Sequence, residues 1–186
     1  MIQKIGPGFV LIKTGYLTIN TVEESINKTL ALLSRPSEFA QIISVKPICS
    51  MDQIFFGADQ AQEFFTQNLG ITSSIPLEFL VRVTAQRQLK DALVLAGLKQ
   101  GKQSVCLVFY SNSKDRVQQA FKKFEELFEF KEKKNLLEEN CKQNFSDLCF
   151  LYNISETELN VINFKNKTKA LQSLVLERIA CLELNK

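Results

Sequence analysis

"SIPLEFLVRVTAQRQLKDALVLAGLKQGKQSVCLVFYS", residues 74–111, reads as helix, helix, strand. Ser74 is a helix-capping residue type, and Pro76 falls in the first turn, where its missing N–H costs least. Leu77, Leu80, Val81 and Val83 then recur at helical spacing. A polar joint, Gln86-Arg87-Gln88, separates this helix from a short one over 89–96, which Gly97 closes. Residues 104–110 are dense in Val, Leu and Phe and read as a strand. Helices and strands mix without regular βαβ alternation, which predicts one α+β domain over 1–186. Its expected architecture is a small, mostly antiparallel sheet covered by several helices.

Upstream, Gly6-Pro7-Gly8 reads as a turn and 8–13 (GFVLIK) as a strand. Thr21-Val-Glu-Glu24 is a capping box, so a helix is expected from about residue 22, carrying Val22, Ile26, Leu30 and Leu33. Arg35-Pro36 should stop it. Residues 41–48 read as extended. Ser50-Met-Asp-Gln53 opens a further helix running to about Asn68, with Gly70 as its stop.

Downstream, 113–144 reads as a charged helical segment, possible as an insertion, with Phe121, Phe124, Leu127 and Phe128 as its one apolar stripe. Residues 145–152 fit strand or helix. Ser155 begins another helix, and a last helix is expected from about Asn166 to Glu183.

The chain has 186 residues, 45% apolar and 23% charged, with net charge +3. That is globular composition with a mildly basic balance, which permits nucleic-acid contact without arguing for it. The N-terminal stretch lacks a signal-peptide pattern, and no apolar run approaches the roughly 18 residues of a membrane span. A soluble, intracellular protein is expected.

There is no histidine, which removes the commonest general base and the usual Ser-His and Cys-His pairs. The neighbouring carboxylates Glu23/Glu24, Glu125/Glu126 and Glu138/Glu139 point about 100° apart on a helix and do not form a shared site by themselves. The five cysteines are scattered, with no CxxC, so neither a disulfide framework nor a metal site is expected. Cys49, beside Lys46 and a helix start, is the one candidate nucleophile, against the reading that it is a small buried apolar residue.

Two binding features stand out. Lys46, Arg82, Arg87, Lys90, Lys99 and Lys102 would form a phosphate-holding cluster if the joint and the 97–102 loop share an edge; otherwise they are separate solvated side chains. The last helix carries Leu171, Leu174, Val175, Ile179 and Leu182 on one side, and Leu176, Ala180 and Leu184 on the other. Such a helix is either fully buried or sandwiched between its own core and a partner.

Three blocks in order carry a resemblance: "SVKPICSMDQIFFGADQAQEFF" (44–65), "PLEFLVRVTAQRQLKDALVLAGLKQGKQSVCLVFY" (76–110) and "LVLERIACLEL" (174–184). They resemble the kinase-binding subunit family of the KEOPS (EKC) complex. Glu78, Arg87-Gln88-Leu89, Ala92 and Gly97-Leu98 occupy the places of the family's glutamate-bearing helix, polar joint, second helix and strand approach. The likeness covers most of 40–110 and 165–184. The 113–144 stretch is longer than the family pattern, and the first 40 residues match only as strand then helix.

The resemblance implies a non-catalytic, cofactor-free subunit, cytoplasmic and, in a eukaryote, also nuclear. It implies direct binding to the complex's small atypical kinase/ATPase, and indirect association with the other KEOPS subunits. It also implies help in recruiting tRNA by its 3′ end for N6-threonylcarbamoyladenosine formation. On that reading Leu171, Leu174, Val175, Leu176, Ile179 and Ala180 serve the kinase, and Leu174→Glu or Ile179→Glu should break the complex and spare the fold. Lys46, Arg82, Arg87, Lys90, Lys99 and Lys102 serve tRNA. The alternatives are an interaction module outside KEOPS, or a small enzyme using Cys49.

Overall fold

Two long strands organise the chain. In the computed structural model, which describes residues 1–35, 37–162 and 166–183, the elements follow in the order β1 (Ile2–Ile5), β2 (Gly8–Ile19), α1 (Val22–Leu30), β3 (Phe39–Ser44), α2 (Met51–Thr66), α3 (Ile75–Val83), α4 (Leu89–Ala96), β4 (Gly101–Ser111), α5 (Lys114–Leu127), β5 (Lys131–Glu132), α6 (Leu136–Gln143), α7 (Phe145–Leu151), α8 (Glu156–Val161) and α9 (Lys167–Ala180). β2 and β4 pair antiparallel from Phe9 opposite Ser111 to Ile19 opposite Gly101. The sheet order is β1-β2-β4-β3, with β5 also on β2, and every pairing is antiparallel. The expected α+β class and antiparallel sheet are what the chain forms.

Successive strand residues face opposite sides. Val10, Ile12, Cys106, Val108 and Tyr110 point to one core, shared with Ile54, Ala58, Phe79 and Val83 of α2 and α3. Leu11, Leu17, Val105, Leu107 and Phe109 point to a second, closed by Val117, Ala120, Phe121 and Phe124 of α5. With helices on both faces, β4 is buried on both, which is why it reads as a continuous apolar run. A third core lies between Cys49 and the helices α7, α8 and α9. No helix among the described residues is long and apolar enough to cross a membrane.

Ile5 pairs with Gly8, so Gly6-Pro7 is a two-residue hairpin turn, and Gly6 takes the positive φ of 46° that the first turn position demands. β2 continues to Ile19, beyond the expected end at Lys13. Thr14 and Gly15 interrupt the apolar pattern, but long-range pairing carries the strand through. Gly15 lies opposite Glu132, and a side chain there would come within 2.2 Å of the Lys131 carbonyl oxygen.

The 113–144 stretch is two helices, α5 and α6, interrupted by β5. Phe128 and Phe130 turn back onto Phe124, at ring separations of 4.6 and 6.1 Å. The Lys133 amide then donates to the Thr14 carbonyl at 2.8 Å. Residues 145–151 are helical.

Ser155 and Glu158 form a full capping box, and the Ser50 hydroxyl accepts from the Gln53 amide at 3.2 Å. Thr21 precedes α1 without a side-chain cap, so the box expected there does not form. α1 ends at Leu30, ahead of the expected stop; Pro36 lies outside the described residues.

Candidate interaction surfaces

The last helix starts where the Asn166 side chain accepts from the Thr168 amide at 2.9 Å. Its wider apolar stripe turns inward. Leu171, Leu174, Val175 and Ile179 are buried against Cys141, Leu148, Tyr152 and Leu159. These four, expected to meet a kinase, are instead this chain's own core, because α7 and α8 fold back to cover that side of α9. A glutamate at Leu174 or Ile179 would therefore strike the fold first, contrary to the expectation that it would be spared. Leu182 is also buried, and Leu184 lies outside the described residues.

Leu176 and Ala180 face the other way. Together with Phe56 they line an open groove of about 700 Å³ between α9, α2 and the β1–β2 turn. Asp52, Asp59 and Glu177 line its wall together with Lys4. Burial, then the neighbouring Glu63, pushes the Asp59 carboxyl above its ordinary value.

α2 and α9 are braced from the side away from the groove. The Gln53 amide nitrogen donates to the Val83 carbonyl at 2.7 Å, the Tyr152 hydroxyl at 2.8 Å and the Pro47 carbonyl at 3.2 Å. Its oxygen accepts from the Cys49 N–H at 2.7 Å. Gln53 thereby ties α2 to the end of α3 and to the loop after α7. Arg178 locks α9 in place, donating to the Tyr152 and Asn153 carbonyls at 3.2 and 3.1 Å and to the Glu158 carboxylate.

The basic set divides. Arg82 leaves it: its side chain is fully buried, its Nε donates to Glu78 Oε1 at 2.8 Å, and its guanidinium lies 4.0 Å from the Phe64 ring centre. Arg82 faces inward because it follows Glu78 by one helical turn on the face that α2 covers. Lys46, Arg87, Lys90, Lys99 and Lys102 are exposed. Arg87 and Lys90 stand at the start of α4 and Lys99 beyond its end, roughly 12 Å apart along an eight-residue helix.

Lys46 and Lys102 both stand at the end of the sheet where β4 begins. The Val45 N–H donates to the Ser104 carbonyl at 3.2 Å, which sets Lys46 beside the start of β4. Sequence reading missed the two residues that complete this corner. Tyr16 has the Lys102 ammonium 5.8 Å from its ring centre and the Lys133 ammonium at 5.9 Å. Both cations sit within cation–π range. Tyr16 lies past the expected strand end at Lys13, and Lys133 follows β5 inside the stretch expected to be helical. The hydrogen bond from Lys133 to the Glu139 carboxylate raises that ammonium's pKa above its ordinary value.

Cys49 is fully buried, and its hydrogen bond with Cys141, then burial, pushes its thiol well above the ordinary value. This is the opposite of the accessible, electropositive setting a nucleophilic cysteine needs. Among the described residues, no group of His, Cys, Asp or Glu is arranged to hold a metal ion.

The family pattern described as kinase binding protein CGI-121 matches residues 19–183. The chain belongs to the CGI-121 family. The match runs from the last residue of β2 to the turn after α9, so it takes in both the outward face of α9 and the 113–144 stretch. Among curated proteins, none matches the chain. The resemblance read from the three sequence blocks is thus to the family whose pattern the chain fits. CGI-121 proteins are kinase-binding proteins by description, and in this member Leu176, Ala180 and Phe56 form an apolar strip open to solvent beside α9's buried stripe.

Proposed function

We propose that this CGI-121 chain is a non-catalytic subunit of the KEOPS/EKC complex. It binds the small atypical kinase/ATPase directly and helps recruit tRNA by its 3′ end for N6-threonylcarbamoyladenosine formation. The family match over residues 19–183 carries the reading. The geometry supports a division of labour. The kinase sits along α9 and α2, on Leu176, Ala180 and Phe56, where apolar side chains remain uncovered beside a braced core. The RNA backbone follows Lys46 and Lys102, joined by Lys133, with Tyr16 as a stacking surface. Arg87 and Lys90 extend the positive surface along α4, with Lys99 at its far end.

The test is co-expression with the small kinase from the same organism, followed by size-exclusion chromatography. A stoichiometric complex that retains tRNA better than either protein alone is expected. Separate elution at micromolar concentration would remove the KEOPS assignment and leave an interaction module of another kind.

A further inference from the structure

The loop between β3 and α2 is held by side chains from α2, α6, α9 and the residue after α7. Past Val45 it joins no strand, yet each carbonyl from Val45 to Cys49 accepts a side-chain hydrogen bond. Asn140 of α6 donates to the Val45, Lys46 and Ile48 carbonyls at 3.0, 3.3 and 2.9 Å. Gln53 and the Tyr152 hydroxyl donate to the Pro47 carbonyl at 3.2 and 2.6 Å, and Gln172 to that of Cys49 at 3.0 Å. Asn144 donates to Asn140 Oδ1 at 3.0 Å, which fixes the way the Asn140 amide faces.

Burial explains most of these bonds. Val45, Pro47, Ile48 and Cys49 are buried, and a buried carbonyl must be paired. Lys46 alone among them is exposed, where water can serve its carbonyl. Asn140 nevertheless holds that carbonyl and those on either side of it. A lysine on a pinned backbone keeps only side-chain freedom, and a group ordered in advance costs less to immobilise when its partner arrives. The same helix acts on a second cation. Lys133, whose ammonium lies 5.9 Å from the Tyr16 ring centre, donates to the carboxylate of Glu139, the residue next to Asn140. Adjacent residues of α6 thus hold the Lys46 backbone and the Lys133 ammonium.

We infer that Asn140 is a positioning residue for RNA binding: it fixes the backbone at Lys46, so that this ammonium meets a phosphate from a set position alongside Lys133. The inference rests on the RNA-binding reading above and adds to it a residue that touches no RNA itself.

The experiment measures tRNA binding by the full chain, Lys46→Ala, Asn140→Ala and the double variant across a range of salt. Lys46→Ala is expected to weaken binding several-fold and to shallow the log Kd against log salt slope by about 0.7. Asn140→Ala changes no charge, yet is expected to weaken binding about threefold and to shallow the same slope. The double variant should bind no more weakly than Lys46→Ala, the non-additivity of two residues acting through one contact. Full-strength binding by Asn140→Ala, an unchanged slope, or additive losses would each overturn the inference and leave the RNA reading standing. Full-strength binding by Lys46→Ala would overturn both. If Asn140→Ala does not fold, 15N relaxation of the unaltered chain decides: a Lys46 amide order parameter of about 0.85 without RNA is expected, and one below about 0.6 would overturn the inference.

Discussion

Arg82 and Glu78 form an ion pair inside the protein: Nε and Oε1 are 2.8 Å apart and both side chains are fully buried. The second carboxylate oxygen accepts from the Thr72 amide at 2.9 Å and the Thr72 hydroxyl at 3.2 Å. One carboxylate thus holds a buried guanidinium and pins the loop between α2 and α3. Breaking a buried pair by removing one partner is strongly destabilising, because it strands the other charge. Glu78→Ala should lower stability by about 3 kcal/mol, read from the urea midpoint, and a loss under about 1 kcal/mol would show the pair to be incidental. Arg82→Glu should fail to fold, so any loss of RNA binding in that variant reports on stability.

RNA binding should respond instead to the corner around Tyr16. Lys46→Glu and Lys102→Glu are exposed changes and should leave the circular dichroism spectrum intact. Each should weaken tRNA binding several-fold and shallow the log Kd against log salt slope by about 0.7 per lost phosphate contact. Tyr16→Leu, which keeps bulk and loses the ring, should weaken binding with little change in slope. Unchanged affinity in the two lysine variants would dismiss this surface.

Thiol labelling separates the cysteines. Cys149 and Cys181 are partly exposed, while Cys49, Cys106 and Cys141 are buried. Burial holds the Cys106 thiol well above its ordinary value, as the hydrogen bond with Cys141 and burial do for Cys49. Iodoacetamide at neutral pH should modify Cys181 and Cys149 first and reach Cys49 only on unfolding. Fast, selective labelling of Cys49 would revive the enzyme reading.

Acid should loosen the α8–α9 corner. The Ser155 backbone N–H, then Arg178, holds the Glu158 carboxyl at about 2, against an ordinary value of 4.5. A lowered folded-state pKa means stability that is fully present above about 4.5 and is lost as pH falls towards 2. Glu158→Gln should flatten the stability profile across that interval and leave its shape above pH 5 unchanged. An unaltered acid limb would show that the carboxylate is not linked to folding.

Local signals carried well where they were covalently close. Pro76, Gly97 and the Ser155–Glu158 box marked helix ends that the structure keeps, and the apolar run before Tyr110 marked β4. The errors arose where the deciding partner is far along the chain. β2 passes Thr14 and Gly15 only because β4 and β5 flank it. The choice between the two apolar sides of α9 rests on α7 and α8 covering one of them. The burial of Arg82 did have a local signal: Glu78 precedes it by four residues, and Phe79, Leu80, Val81 and Val83 surround the pair in sequence. A charge flanked so densely by apolar residues, with a counter-charge one turn away, belongs inside as readily as outside.

The most direct measurement is calorimetric titration of the small kinase with Leu176→Glu, using Leu174→Glu as the contrast. Leu176 lines the open groove and Leu174 lies in the core, although both are on α9. Leu176→Glu should stay folded and bind the kinase about 30-fold more weakly or worse, as expected for a central interface residue, whereas Leu174→Glu should lose its folded circular dichroism spectrum. Full-strength kinase binding by a folded Leu176→Glu chain would contradict the account and place the interface elsewhere on the molecule.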